Sequence, residues 1–121
     1  MNAFRNLARR AETLATRTAL EAALRIAAER TNLAPADVLA PIDPNKVRHG
    51  RPEAVAHAHA RRMAIYCTAT LFDRPNRQIA RAAGISRQLV DRVVGDVEET
   101  RSDARFDREL DEIELDLMGA A

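Results

Sequence analysis

The sequence predicts an all-α protein, a compact helical domain of about six helices containing a helix-turn-helix, and three observations carry that expectation. Alanine is the commonest residue, β-branched residues are scarce and only four glycines occur among 121 residues, a composition that favours helix over sheet. Apolar residues recur at spacings of three and four, the period of a helix buried along one face. Residues 78 to 93 carry the stop, turn and start signals of two short helices meeting at a glycine.

Taken in order, Phe4, Leu7, Ala11 and Leu14 form the stripe of a first amphipathic helix over residues 3 to 16, with Arg5, Arg9, Arg10 and Glu12 on its other face. Thr18 with Glu21 has the form of a capping box, so a second helix starts there and buries Leu20, Leu24, Ile26 and Ala27. One continuous helix to Arg30 fits equally. The segment Asn32-Leu33-Ala34-Pro35 breaks the pattern, and Pro35 at a first helical position opens a short helix through Val38 and Leu39. Pro41, Pro44 and Gly50 exclude regular structure between 41 and 51, leaving a loop whose second half is basic.

Pro52 opens the longest core helix, to about Phe72. Ala56, Ala60, Met63, Ala64, Cys67 and Leu71 line one face, widened by Ile65, Ala69 and Phe72. Two helical segments follow from Asn76 to about Arg101, and a last helix from Asp103 to Met118 repeats Phe106, Leu110, Ile113 and Leu117 at helical spacing. The expected organisation is an extra helix over residues 1–18, acting as linker, core element or self-association surface, followed by a DNA-binding domain over 19–118.

Composition narrows the function. At 46% hydrophobic and 31% charged the chain suits one domain, and no run of 18 apolar residues or basic leader with an apolar stretch is present, so the expectation is a cytosolic, nucleoid-associated protein with no membrane partner. The single cysteine, Cys67, excludes an internal disulfide. The net charge of +1 conceals a division. Residues 1 to 95 balance at +8 and residues 96 to 121 at −7, so the first part attracts polyanions and the acidic tail does not.

Function concentrates in Gln78 to Val93. Ile79 anchors the first helix, Ala80 is small where a second helix crosses, and Gly84 stands where the chain leaves in a left-handed conformation. Ser86 is an N-cap, while Val90 and Val93 hold the second helix inward. Arg87 and Gln88 at the start of a recognition helix suit guanine and adenine edges in the major groove, with Asp91 and Arg92 also facing outward. Arg74, Asn76 and Arg77, just before and at the start of the first helix, suit phosphates. In the basic loop, which also carries Lys46, Arg48 or Arg51 suits a narrow A·T-rich minor groove. With Gln78 and Ser86 these residues make up the candidate DNA-contact set.

The chain resembles the C-terminal DNA-binding domain of the bacterial replication initiator DnaA, a trp-repressor-like all-α domain. The resemblance runs from Leu24-Arg25-Ile26-Ala27-Ala28-Glu29-Arg30-Thr31-Asn32-Leu33 through Pro35-Ala36-Asp37-Val38-Leu39 and the basic loop. It is strongest at Ala60-Arg61-Arg62-Met63-Ala64-Ile65-Tyr66, close to the family's Ala-Arg-Gln-x-Ala-Met-Tyr, and continues through Ile79-Ala80, Gly84 and the helix from Phe106 to Leu117. It covers roughly residues 20 to 118. It implies duplex DNA as partner and a loop arginine, Arg48 or Arg51, in the minor groove. The family's Arg-Asp-His-Thr-Thr-Val signature is replaced by Ser86-Arg87-Gln88-Leu89-Val90, one residue shorter, which points to a different target sequence. No GxxxxGK[ST] phosphate loop occurs, so ATP-driven initiation is excluded. Stand-alone modules of this kind resemble prophage and gene-transfer-agent regulators that work with a sigma-like or RNA polymerase-binding partner.

Other constellations carry less. His57 and His59, two apart on a helix, point in divergent directions and do not chelate, and no nucleophile with a base or carboxylate pair has catalytic spacing, so neither an enzyme nor a cofactor is expected. The expected function is a site-specific duplex-DNA-binding transcription regulator, with a homodimer through the first helix as one use of that element. The alternatives are an accessory factor at replication origins and a protein-interaction module that does not bind DNA. The outward acids of the last helix, Asp107, Asp111, Glu112 and Glu114, are expected opposite the basic face and free to meet a basic partner.

Overall fold

The computed structural model describes residues 2–39 and 52–119. Six helices are present among them and no strand: α1 (Asn2–Arg30), α2 (Pro35–Leu39), α3 (Pro52–Thr70), α4 (Asn76–Ala83), α5 (Arg87–Thr100) and α6 (Ala104–Gly119). The expected basic loop with Lys46, Arg48 and Arg51 lies outside the described residues.

The first helix does not end near Thr18. α1 runs unbroken for 29 residues, so the Thr18–Glu21 pair lies inside a helix and starts none. Continuity has a consequence for burial. At 3.6 residues per turn the stripe of Phe4, Leu7, Ala11 and Leu14 falls roughly opposite the stripe of Thr16, Leu20, Ala23 and Ala27. Only one of the two can face the core. The second is buried, and Phe4, Leu7 and Leu14 are left 83%, 67% and 64% exposed. Of the uses expected for the first helix, the core element does not apply to the stripe of Phe4, Leu7 and Leu14, for this geometric reason.

Asn32 ends α1 in a left-handed conformation (φ 57), with the Leu33 N–H returning to the Ala28 carbonyl at 2.8 Å. Pro35 then starts α2, whose last carbonyls receive the Arg61 guanidinium: Nε donates to Val38 O at 3.2 Å and Nη2 to Asp37 O at 3.3 Å. In α3 the expected face is buried at Ala60, Met63, Ala64 and Cys67, flanked by Ile65, Tyr66 and Thr68. Burial pushes the Cys67 thiol up to about 12, so it stays protonated and packs as a small apolar group. Asp103 caps α6, its carboxylate accepting from the backbone N–H of Arg105 and Phe106, and Leu110, Ile113 and Leu117 face inward as expected.

The core gathers side chains from every helix, with α1 packed against α2, α3, α4 and α6, and α5 against α3 and α4. The two glycines of the α4–α5 region supply a test of opposite signs. Gly84 has φ +71 and open space where a Cβ would stand, so Gly84→Ala should cost about 1–2 kcal/mol through the backbone alone. Gly95 lies inside α5 with equally open space, and Gly95→Ala should gain about 0.5–1 kcal/mol. Denaturant midpoints of the two variants should move in opposite directions, and a shared direction would contradict this backbone.

Candidate nucleic-acid interface

The unit built from α4, the turn Gly84-Ile85-Ser86 and α5 follows the local signals closely. Gly84 takes φ 71, ψ 32 and its N–H bonds to the Ala80 carbonyl, as does that of Ile85 at 3.0 Å. The chain reverses there at little steric cost because glycine has no Cβ. Ser86, with extended dihedrals, accepts the Leu89 N–H on its Oγ at 3.1 Å and caps α5. Ile79 and Ala80 from α4 and Val90, Val93 and Val97 from α5 are buried. Arg87, Gln88, Asp91 and Arg92 are therefore turned outward.

The candidate set divides when its partners are traced. Arg77, Arg87, Gln88 and Arg92 are exposed and form no side-chain hydrogen bond or ion pair among the described residues. Asn76 Nδ2 donates to Asp91 Oδ1 at 2.8 Å, bracing the start of α4 against the outer side of α5 and holding the one acidic member of the set. Ser86 is spent on its cap.

Arg74, expected at a phosphate, and Gln78, a further member of the candidate set, are both engaged within the chain. Arg74 Nε donates to Thr16 Oγ1 at 2.9 Å and Nη2 to Gln78 Oε1 at 2.6 Å. The Thr16 hydroxyl, fully buried, donates to the same Gln78 oxygen at 2.7 Å, and Gln78 Nε2 donates to Glu12 at 2.8 Å. Both residues thus fasten α4 to α1. A partner 62 positions away cannot be read from local spacing. The available signal was Thr16 itself, a hydroxyl in register with Leu20, Ala23 and Ala27, which a buried face admits only when it is hydrogen-bonded.

The acidic tail is also committed. Arg101, just beyond α5, donates to Asp107 at 2.7 Å, Asp111 at 2.7 Å and Glu114 at 2.6 Å, and its guanidinium lies 5.7 Å from the Tyr66 ring centroid. Desolvation opposes its charge, but hydrogen bonding with Tyr66, Asp107 and Glu114 more than offsets this and raises its pKa. Arg30 grips Asp116 at 2.6 and 2.8 Å and reaches Glu112 at 3.5 Å. Tyr66 donates its hydroxyl to Glu98, and His59 sits 3.3 Å from Glu109 with its ring edge-on to Phe106. Asp107, Asp111, Glu112 and Glu114, expected to be free for a basic partner, are held by the chain's own arginines. The legible signal was Asp107, Asp111 and Glu114 at i, i+4 and i+7, one residue behind the apolar stripe.

Two outcomes follow from these contacts. Arg74→Ala should lower the free energy of unfolding by about 1–3 kcal/mol, since it strips a charged donor from a buried hydroxyl, whereas Arg77→Ala should stay within about 0.5 kcal/mol. Equal effects in urea melts would contradict the fastening role. The hydrogen bond from Arg30 also holds the Asp116 carboxyl below its ordinary value. A depressed folded-state value means that the tie is present at neutral pH and lost as pH falls through that value. An NMR titration should find Asp116 titrating lower in the native chain than in Arg30→Ala; coincident midpoints would remove the pair.

Comparison with protein-family models, curated proteins and solved structures returns no match for this chain.

Proposed function

We propose that the protein is a site-specific duplex-DNA-binding transcription regulator, with α4 and α5 acting as a helix-turn-helix and α5 entering the major groove. The observation that carries this reading is the set of side chains left uncommitted. Arg87, Gln88 and Arg92 point outward from the first two turns of α5, without partners among the described residues, on a unit held by a left-handed glycine, a serine cap and a half-buried polar network. Arginine and glutamine are the side chains that pair bidentately with guanine and adenine edges, and a recognition helix reads bases through its first turns. Arg77 at the start of α4 is placed to meet a phosphate.

The resemblance to the DnaA C-terminal domain points the same way. It brings in the basic loop from Lys46 to Arg51 as a minor-groove arm, on sequence alone. The exposed stripe of Phe4, Leu7 and Leu14 supports pairing of two copies, which would set two recognition helices on two half-sites, or the seating of a sigma-like partner.

The test is selection of binding sites from a random duplex library, followed by substitution. Arg87→Ala should cost about 1–3 kcal/mol on the selected site and relax preference at one base position. Arg77→Ala should weaken all sequences alike and reduce the salt slope by about one phosphate contact. An Arg87→Ala protein that keeps the native sequence preference would overturn the recognition-helix assignment, and occupancy confined to a replication origin would overturn the regulatory role.

A further inference from the structure

The amino-terminal half of α1 lies outside the stretch that resembles a known domain, and its side beside α4 has a distinct character. Arg9, Arg10 and Arg17 of α1 and Arg81 of α4 line one hollow with Asn6 and Thr13, and no carboxylate lines it. All four arginines are exposed and make no ion pair among the described residues. The one acid in this half of α1, Glu12, accepts a hydrogen bond from Gln78 at 2.8 Å. Four guanidinium groups gathered without a counter-charge repel one another, and a bound polyanion relieves that repulsion.

The hollow is continuous with the proposed recognition unit. Arg17 and Arg81 also line the adjoining groove, which extends across the α4–α5 turn to Arg92 of α5. That groove carries two carboxylates: Asp96, which lies 3.8 Å from Arg62, and Glu21, one helical turn beyond Arg17 on the side away from the hollow's Arg9 and Arg10. From Arg9 to Arg17 the helix rises about 12 Å, which, laid parallel to the duplex axis, spans the axial rise of about three phosphates of one strand at about 3.4 Å each.

We infer that the amino-terminal half of α1 is a second DNA-contact surface: Arg9, Arg10 and Arg17, joined by Arg81, track the phosphates of duplex flanking the site read by α5. This rests on the DNA-binding function proposed above and adds a flanking contact to it. A duplex suits the hollow better than a lipid surface. Every residue lining it except Leu14 ends in a polar or charged group, and Phe4 and Leu7, the apolar side chains a membrane would take up, lie outside it.

The experiment compares the native chain with Arg9→Gln/Arg10→Gln/Arg17→Gln, which keeps helix-forming, hydrogen-bonding side chains at exposed positions. Two duplexes are used, one limited to the selected site and one extended by a full helical turn on each side. The native chain should bind the extended duplex more tightly and with a steeper salt dependence. The triple variant should lose that advantage, with the slope falling by about 2–3 on the extended duplex, while its preferred sequence and its helical circular dichroism stay native. An unchanged affinity and slope on the extended duplex would overturn the flanking contact while leaving recognition by α5 intact. A variant that keeps native DNA binding but loses binding to phosphatidylglycerol vesicles would overturn it in favour of a membrane surface. Absence of duplex binding by the native chain would overturn both levels of the proposal.

Discussion

α1 is the constraint on which the rest of the molecule depends, above all through the small side chains of its carboxyl-terminal half. It packs against α2, α3, α4 and α6, and it does so with small side chains: Ala23, Ala27 and Ala28 are fully buried, as are Ala60, Ala64 and Cys67 of α3. Residues of this size let helix backbones approach closely, so orientation is set by backbone shape more than by flexible side chains. α4 then rests on both α1 and α3, and α5 on α3 and α4. The outward direction of α5 is thereby inherited from the α1–α3 contact. The Thr16, Arg74 and Gln78 network adds a directional lock at the point where α4 begins, where apolar contact alone would tolerate sliding.

The charge division along the chain acquires a structural meaning from Arg30 and Arg101. The acidic tail is an internal counter-charge: α6 is tied to the end of α1 by Arg30 and to the end of α5 by Arg101, which is itself drawn over Tyr66 of α3. The Arg30 pair lies at the solvent-exposed surface and contributes little to stability. Arg101, with a side chain only 22% exposed and three carboxylates around it, is the stronger tie. Arg30, Arg62 and Arg101 are thus spent on neutralising acids, whereas Arg9, Arg10, Arg17, Arg77, Arg81, Arg87 and Arg92 have no carboxylate partner among the described residues.

What the sequence disclosed depended on the range of the interaction. Gly84, Ser86, Pro35 and the Phe106 to Leu117 stripe all act within one or two turns, and each stands where its local chemistry requires. The course of α1 was not legible in the same way, because a capping pair at Thr18 and Glu21 is compatible with both a start and a helix interior. Burial of the Leu20 stripe decides between them, and that burial depends on α3 and α4. Arg74 and Gln78 illustrate the same limit in the candidate interface: a polar residue beside a helix start is equally suited to an external phosphate and to a buried hydroxyl. Only the tertiary position of Thr16 discriminates.

The distribution of charge along α5 constrains how such a helix could meet a duplex. Its first two turns carry Arg87, Gln88 and Arg92, and its last two carry Asp96, Glu98 and Glu99. The helix macrodipole reinforces the gradient, adding positive potential at the amino end and negative potential at the carboxyl end. Acids in a last turn cost helix stability, and here the cost is offset in part by the Tyr66 hydroxyl on Glu98 and by the Arg62 guanidinium near Asp96. Glu99 remains exposed. A duplex lying along the whole of α5 would bring phosphates against that end, so the proposed recognition role requires entry with the amino terminus leading and the carboxyl terminus directed away. Asn76 holds Asp91, the one carboxylate in the leading turns, sideways toward the start of α4, which orients it away from Arg87 and Gln88 at the amino end.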